Sequence, residues 1–161
     1  MDIILSQRVQ QIKPSPTLAV AQKAGQLRAQ GRDIIGLGTG EPDFDTPEHI
    51  KQSAIRAMQE GYTKYTAVDG IAPLKQAIVD KFKNDNNLNY ELDQILVSVG
   101  GKQSIFNLTQ AFLDEGDEVL IPAPYWVSYP DIAILAGAKP VIIETSIEDN
   151  FKVTAEQIEQ S

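Results

Sequence analysis

The spacing of apolar residues changes halfway along the stretch 94–112. Its first half, Ile95–Val99, is a short apolar run with β-branched residues, which is typical of a buried strand. Gly100 and Gly101 end that run. From Gln103 onward the apolar residues recur at helical spacing and form one face. The pattern therefore predicts a strand, a glycine turn and a helix.

The same spacing rules predict helices that alternate with strands along most of the chain. Near the start, two prolines around a serine favour an extended arm over Leu5–Pro16. Thr17 and Thr46 are predicted to cap the helices that they begin, and Thr154 and Gln157 form a capping-box sequence. The further predicted helices are Thr17–Gln30, Thr46–Gly61, one through Leu74, Ile78 and Phe82, Val127–Leu135 and one that begins at Thr154, and the further predicted strands are Ile34–Leu37, Asp117–Pro122 and Lys139–Glu144.

This order of elements places two loops at one edge of the predicted sheet. Because a helix joins Ile95–Val99 to Asp117–Pro122, the two strands are predicted to be parallel. Loops that follow parallel strands emerge at the carboxyl edge, where the ligands of open α/β sheets bind. Gly100–Lys102 follows the first strand and Ala123–Trp126 follows the second, so both are predicted to face one crevice.

Each of these loops carries a candidate ligand-binding group. The first N–H groups of a helix attract an anion, and glycines allow a phosphate to approach the backbone of Gly100–Gln103 closely. On this stretch alone, an ordinary tight turn is an equal alternative. Trp126 is the only tryptophan and lies in a proline-punctuated loop rather than on an apolar stripe. Ligand stacking is therefore favoured over an anchor in the core or on the surface.

A third loop excludes one class of cofactor. Gly36, Gly38 and Gly40 are spaced as G-x-G-x-G, whereas the dinucleotide fingerprint needs a glycine where Glu41 stands. Pro42 also stands where the helix of that motif would open. A nicotinamide site is therefore excluded, while a binding loop with a close backbone approach remains.

Composition and charge narrow the possible functions further. The chain of 161 residues is 42% hydrophobic and can bury a sizeable core. A net charge of -8 without any Lys/Arg block argues against nucleic-acid and anionic-membrane partners. Without cysteine there is no disulfide framework or thiolate metal site, and no metal is predicted. The start is too short and too polar for a signal peptide, no run could span a membrane, and a cytoplasmic location is expected.

Five motifs, in this order and at this spacing, resemble those of class I pyridoxal-phosphate-dependent aminotransferases, and within that family the bacterial aspartate aminotransferases. They are K-P-S-P-T at 13–17, G-T-G-E-P-D-F at 38–44, Y-T-K-Y at 62–65, V-G-G-K-Q at 99–103 and P-A-P-Y-W at 122–126. The resemblance implies an α/β, fold-type-I transferase with a mostly parallel sheet and flanking helices. It also implies an N-terminal arm and small-domain segment over 1–45, and an incomplete large domain that binds pyridoxal 5'-phosphate over 46–161.

The resemblance also implies roles for individual residues. Gly40 matches the loop residue whose backbone N–H contacts the substrate carboxylate. Gly101 and Lys102 match the turn that holds the cofactor phosphate. Trp126 matches the aromatic residue that stacks on the cofactor ring and touches the substrate. Tyr65 matches the tyrosine that reaches the phosphate of the neighbouring subunit, which implies a homodimer with amino acid and 2-oxo acid substrates.

No residue of this chain matches the family's catalytic residues. The Schiff-base lysine, the residues that tune the ring and the arginine that holds the α-carboxylate would all follow Ser161. Lys102 belongs to the phosphate turn, Lys64 lies in a tyrosine-rich loop, and the remaining lysines are interpreted as solvated helix faces. We therefore expect the chain to be the N-terminal part of an aminotransferase and to be inactive alone.

Two alternatives remain open at this point. One is a non-catalytic product or a small module that binds pyridoxal phosphate or phosphate alone. The other keeps the fold and changes the substrate to an aromatic or other amino acid, because the residues that select the substrate would lie mostly outside this chain.

Overall fold

The computed structural model describes residues 4–38 and 40–161, and the chain forms two compact units. The first unit contains the residues up to Gly40 together with Ser104–Ser161. The second unit contains Glu41–Gln103. Residues 1–3 and Thr39, the middle residue of the Gly38–Gly40 motif, lie outside the described residues.

Helices make up most of the regular structure. Their bounds, with those of the two strands in chain order, are α1 Gln7–Gln10, α2 Pro16–Ala29, α3 Glu48–Gln59, α4 Ala72–Asn86, α5 Gly101–Phe112, β1 Glu118–Ala123, α6 Ser128–Leu135, β2 Lys139–Glu144 and α7 Ala155–Glu159. A short 3-10 turn over Leu92–Gln94 precedes α5. The helices predicted through Leu74–Phe82 and over Val127–Leu135 are confirmed to within a few residues.

The described sheet consists of β1 and β2, which run parallel and are joined by α6. Their register pairs Glu118 with Lys139 at one end and Ala123 with Glu144 at the other. An ion pair of 2.7 Å between the Glu118 and Lys139 side chains spans the first of these pairs. The buried apolar residues of this unit come from the two strands, α6 and the turn after it, and they are Ile121, Ile132, Ala133, Ala138 and Ile143. Both predicted strands are confirmed, and their parallel pairing agrees with the mostly parallel sheet that the resemblance implies. The parallel pair predicted for Ile95–Val99 and Asp117–Pro122 does not form within the described residues.

Two other predicted strands are wrong for the part of the chain that the structure describes. Ile95–Val99 is not a strand: Ile95 is extended at φ -109° and ψ 126°, and Val97 N–H donates to the Asp69 carbonyl at 3.0 Å. Ile34–Leu37 is not a strand either, and its Ile34 carbonyl accepts from the Arg28 guanidinium at 3.2 and 3.3 Å. A strand needs a ladder of bonds to a neighbour, and neither segment forms one within the described ranges.

The structure corrects two predicted helix starts and the arm predicted as extended. The α2 helix is capped by Ser15 rather than Thr17, with Pro16 at its first position. The residue before α3 is Pro47, with no side-chain bond from Thr46. The arm predicted as extended contains the short helix α1, because the Ser6 hydroxyl accepts from Val9 N–H. The capping box is confirmed: the Thr154 side chain accepts from Gln157 N–H, and the Gln157 side chain accepts from Thr154 N–H.

Many large apolar side chains lie on the surface. Among them, Leu37 is 92% exposed, Val99 85% and Phe112 77%. Within residues 4–38 and 40–161, no helix combines the length and apolar character needed to cross a membrane.

Candidate ligand-binding site

The glycine turn forms the N-terminal boundary of α5. Gly100 has φ +87°, a conformation that suits glycine, and its N–H donates to the Ser98 carbonyl at 2.9 Å. The Gln103 N–H donates back to the Gly100 carbonyl at 3.2 Å, and the Gln103 side chain accepts from Val99 N–H at 2.8 Å. These bonds fix the backbone immediately before the helix, where an anion would meet the positive end of the helix dipole.

The space around Gly101 is open. A Cβ atom added there would meet no heavy atom within 4 Å, and the backbone of Gly101 does not have a positive φ. Neither packing among the described residues nor backbone conformation therefore explains a glycine at this position. Open space beside the first turn of a helix is what a phosphate needs for a close approach. Lys102 follows as an exposed residue of the same turn.

The three glycines of the G-x-G-x-G loop differ in what surrounds them. A Cβ added to Gly36 would lie 2.7 Å from the Arg28 guanidinium, and one added to Gly38 would lie 2.9 Å from Val20. Gly40, in contrast, has no heavy atom within 4 Å of such a Cβ. Gly38 makes room for Val20 of α2, whereas at Gly36 only the end of the flexible Arg28 side chain is near, so packing accounts for Gly38 but not for Gly36. Gly40 has open space beside its backbone.

Trp126 is one of the residues that line a cavity in the first unit. The loop that carries it follows β1 through a cis Ala123–Pro124 peptide. The Ala123 carbonyl accepts from the Thr145 hydroxyl, and the Trp126 carbonyl accepts from Tyr129 N–H at 3.0 Å. The cavity of about 420 Å³ is lined by Ile105, Thr109, Val119, Leu120, Ile121, Pro122, Pro124, Tyr125, Trp126, Tyr129, Ile132 and Ala133.

This arrangement leaves an aromatic surface available to a ligand. Trp126 is 53% exposed although it borders a mostly apolar cavity. The prediction that Trp126 lies in a loop rather than in the core is confirmed, because the core of this unit is built from β1, β2 and α6 with the turn that follows it. An indole that is half exposed in a loop can stack on a planar ring.

Tyr65 projects from the segment between α3 and α4. Its side chain is fully exposed, at 106% of the reference area. The segment is anchored at its beginning by Tyr62 N–H, which donates to the Ala57 carbonyl at 3.0 Å, and at its end by Gly70 N–H, which donates to the Ala67 carbonyl at 3.2 Å. Tyr65 is therefore held on a tethered loop with its ring directed to solvent.

An ion pair with a buried lysine, which the sequence patterns did not predict, lies at the end of this loop. Lys75 is only 7% exposed, so its interpretation as part of a solvated helix face was wrong. Its ammonium donates to the Asp69 carboxylate, and this hydrogen bond holds the pKa of Asp69 below its ordinary value. The sequence carried one usable signal, an aspartate in a turn six residues before a lysine near the start of a helix.

The predicted ligand residues are divided between the two compact units. Gly40 and Trp126 belong to the first unit, and Tyr65, Gly101 and Lys102 belong to the second. A shared crevice for the glycine turn and Trp126 stays a prediction.

Known proteins resemble this chain along nearly its whole length. The model of the family "Aminotransferase class I and II" matches residues 32–161. The aspartate/prephenate aminotransferase of Nitrosomonas europaea is 64% identical over 157 residues, a match that covers 98% of this chain and 40% of that protein. The aspartate aminotransferase of Bacillus sp. strain YM-2 is 53% identical over 161 residues, covering 100% of this chain and 41% of that protein.

The fold of the chain matches solved structures equally well. The aspartate aminotransferase of Thermus thermophilus, solved with maleate, superimposes with a TM-score of 0.94 at 48% identity. That match covers 99% of this chain and 42% of the solved one. The chain therefore spans about 40% of the length of the curated relatives that it matches.

Proposed function

This chain belongs to the family of class I and II aminotransferases, and from that premise we propose that it is the N-terminal part of an enzyme that transfers an amino group from aspartate, or a related amino acid, to 2-oxoglutarate. The single observation that carries the proposal is the open space at Gly101, at the first turn of α5, in the motif that matches the family's phosphate turn. The fold itself is that of fold-type-I transferases, as the match to the Thermus structure supports.

The chain contributes the cofactor-binding part of that enzyme. Pyridoxal phosphate, when bound, supplies a ring that accepts electrons while amino groups are exchanged. Gly101 and Lys102 hold its phosphate at the start of α5, where the helix dipole favours an anion. Trp126 stacks on the ring from the loop after β1, and its half-exposed indole above an apolar cavity suits that role.

The substrate is a small dicarboxylic amino acid that is held near Gly40 and Trp126. The open space beside the Gly40 backbone allows a carboxylate to approach its N–H, and a Cβ atom at this position would occupy that space. The Thermus relative was solved with maleate, a four-carbon dicarboxylate of the same length as aspartate. Aspartate as the amino donor is consistent with both observations.

The lysine that reacts with the cofactor lies outside this chain. Such a lysine must be neutral at the moment of reaction and must lie in the site. Lys75, the buried lysine of the described part, donates to the Asp69 carboxylate and is therefore engaged in an ion pair. Lys51, Lys81 and Lys139 form ion pairs at the surface. The chain alone therefore binds and orients without transaminating.

The intact enzyme works as a homodimer in which Tyr65 reaches the phosphate bound by the neighbouring subunit. The fully exposed side chain on a tethered loop supports this assignment. The domain organisation proposed for it has an arm and small-domain segment over residues 1–45 and the first half of the large domain over 46–161. Large apolar side chains that are solvent-exposed here, such as Leu37 and Phe112, are covered in the longer protein.

Prephenate is a second candidate for the amino acceptor. It is favoured by one observation, the 64% identity to a Nitrosomonas europaea protein named for both aspartate and prephenate. Both acceptors carry a 2-oxo acid group, so the same donor reaction serves either of them.

A chimera tests the proposed function. Residues 1–161 replace the matched stretch of the Nitrosomonas europaea relative, and the purified chimera is given aspartate with either 2-oxoglutarate or prephenate. We expect oxaloacetate from at least the first mixture, and none from the relative's remaining part alone. A folded, dimeric chimera that produces no oxaloacetate with either acceptor contradicts the proposal.

A further inference from the structure

Lys75 is the one charged residue that is buried in the described part of the chain. It lies in the first turn of α4, and its side chain is 9% exposed. Its partner, the Asp69 carboxylate, is 48% exposed and lies six residues earlier, at the end of the 62–69 loop. Because an unpaired buried charge is costly, the position of Asp69 is tied to that of Lys75.

The backbone around Asp69 is held by a second set of contacts. Its carbonyl accepts from Val97 N–H at 3.0 Å, and the neighbouring Gly70 has φ +111°. A Cβ on Gly70 would lie 2.9 Å from the Cβ of Val97 and 3.6 Å from the Cγ of Lys75. Lys75, Gly70 and Val97 therefore surround the end of the loop on several sides.

The other end of the 62–69 loop is held more simply. Tyr62 N–H donates to the Ala57 carbonyl at 3.0 Å, and Thr63 N–H donates to the Gly61 carbonyl at 2.7 Å. Both bonds belong to the turn that ends α3. Between the two anchors, Tyr65 has its side chain wholly in solvent. The conformation of the loop at Tyr65 thus depends on how firmly its two ends are held.

We propose that Lys75 is a positioning residue for Tyr65, because its ion pair with Asp69 fixes the end of the 62–69 loop. The inference rests on the proposed function, in which Tyr65 reaches the cofactor phosphate of the neighbouring subunit. Lys75 does not touch the cofactor; it determines whether the tyrosine is held where it can do so. Loss of the ammonium leaves the Asp69 carboxylate without its partner and loosens the loop.

The experiment compares matched lysine variants of α4 in the chimera. Lys75→Met removes the buried ammonium, whereas Lys81→Met removes an exposed one whose ion pair with Asp85 is 3.9 Å long. Hydrogen exchange reports on the 62–69 loop and on Val97 N–H. We expect Lys75→Met to speed hydrogen exchange in the 62–69 loop and at Val97 N–H about tenfold, because the loop opens locally while the core of the fold stays protected. Lys81→Met should leave the exchange at these sites unchanged.

Affinity for pyridoxal phosphate separates positioning from general stability. Tyr65→Phe is expected to weaken the binding of pyridoxal phosphate about tenfold, since it removes the tyrosine hydroxyl that would donate a hydrogen bond to the charged phosphate. If Lys75 acts through Tyr65, Lys75→Met weakens binding in the wild-type background and adds little to Tyr65→Phe. Equal losses in both backgrounds show a purely structural role and overturn the inference.

Three further results bear on the role of Lys75. If Lys75→Met does not fold, Asp69→Asn replaces it, because this variant keeps the size of the side chain and removes the charge; unchanged exchange in the loop then overturns the inference. If the chimera binds no pyridoxal phosphate, the proposed function fails; if it binds the cofactor and Tyr65→Phe has no effect, the role of Tyr65 fails and the inference with it.

Discussion

Gly70 and Val97 are in such close contact that a Cβ atom on Gly70 would overlap the Val97 side chain, with 2.9 Å between the two Cβ atoms. Gly70 also has φ +111°, which strains any other residue. We therefore predict that Gly70→Ala lowers the free energy of unfolding by about 1–3 kcal/mol, measured by chemical denaturation.

Gly25 offers the matched control for this substitution. It lies inside α2, and an added Cβ would meet nothing within 4 Å. Gly25→Ala should raise the free energy of unfolding by up to about 1 kcal/mol through helix propensity. Equal effects of the two substitutions would show that the contact with Val97 is not tight.

The Asp69 ion pair predicts a dependence of stability on pH. The hydrogen bond from Lys75, then a hydrogen bond from its own backbone, lowers the pKa of Asp69 in the folded chain. The stabilisation is therefore present above the unfolded value of about 3.9 and is lost as pH falls through the lower folded value. The difference in unfolding free energy between wild type and Asp69→Asn should shrink below about pH 4. A difference that stays constant down to pH 3 or below, about one unit under that unfolded value, would contradict this account.

The open positions Gly101 and Gly40 predict opposite binding defects. Neither has a heavy atom within 4 Å of an added Cβ, so stability should change little in either variant. Gly101→Val should weaken the binding of inorganic phosphate by calorimetry and leave maleate binding to the chimera unchanged. Gly40→Ala should weaken the binding of maleate to the chimera and leave the binding of inorganic phosphate unchanged. This division of roles is rejected if one variant loses the binding of both phosphate and maleate. It is also rejected if neither variant loses the binding of either ligand.

The chain alone is predicted not to transaminate. The lysine that would react with the cofactor is expected outside this chain, and within the described part Lys75 is paired with Asp69, and Lys139 with Glu118 at 2.7 Å. Mixing the purified chain with pyridoxal phosphate, aspartate and 2-oxoglutarate should produce oxaloacetate at the rate of the free cofactor. A rate well above that background would show that a lysine of this chain is catalytic.

Patterns that depend on neighbouring residues were predicted well. β1 and β2 alternate with α6 as expected, and the Thr154–Gln157 capping box forms as its sequence indicates. The capping residue was predicted wrongly where two hydroxyl residues lie close together. Ser15 rather than Thr17 caps α2, because Pro16 is best placed at the first helical position.

Features that depend on distant partners were not predictable. Ile95–Val99 has the composition of a strand, yet strand formation requires a neighbouring strand, and Val97 instead donates to Asp69. The burial of Lys75 follows from the packing of a turn against α4, which periodicity does not report. The open space at Gly40 and Gly101 likewise became visible only in three dimensions, although their motifs had singled them out.

We propose that Gly101 binds the phosphate of pyridoxal phosphate and that Trp126 stacks on its ring. Because Trp126 is the only tryptophan, its fluorescence during a titration of the chain with pyridoxal phosphate reports on that ring alone. We expect saturable quenching of Trp126 fluorescence in the wild type and a much weaker affinity in Gly101→Val, with excess inorganic phosphate competing in the wild type. Quenching that is absent, or that is identical in Gly101→Val, would contradict it.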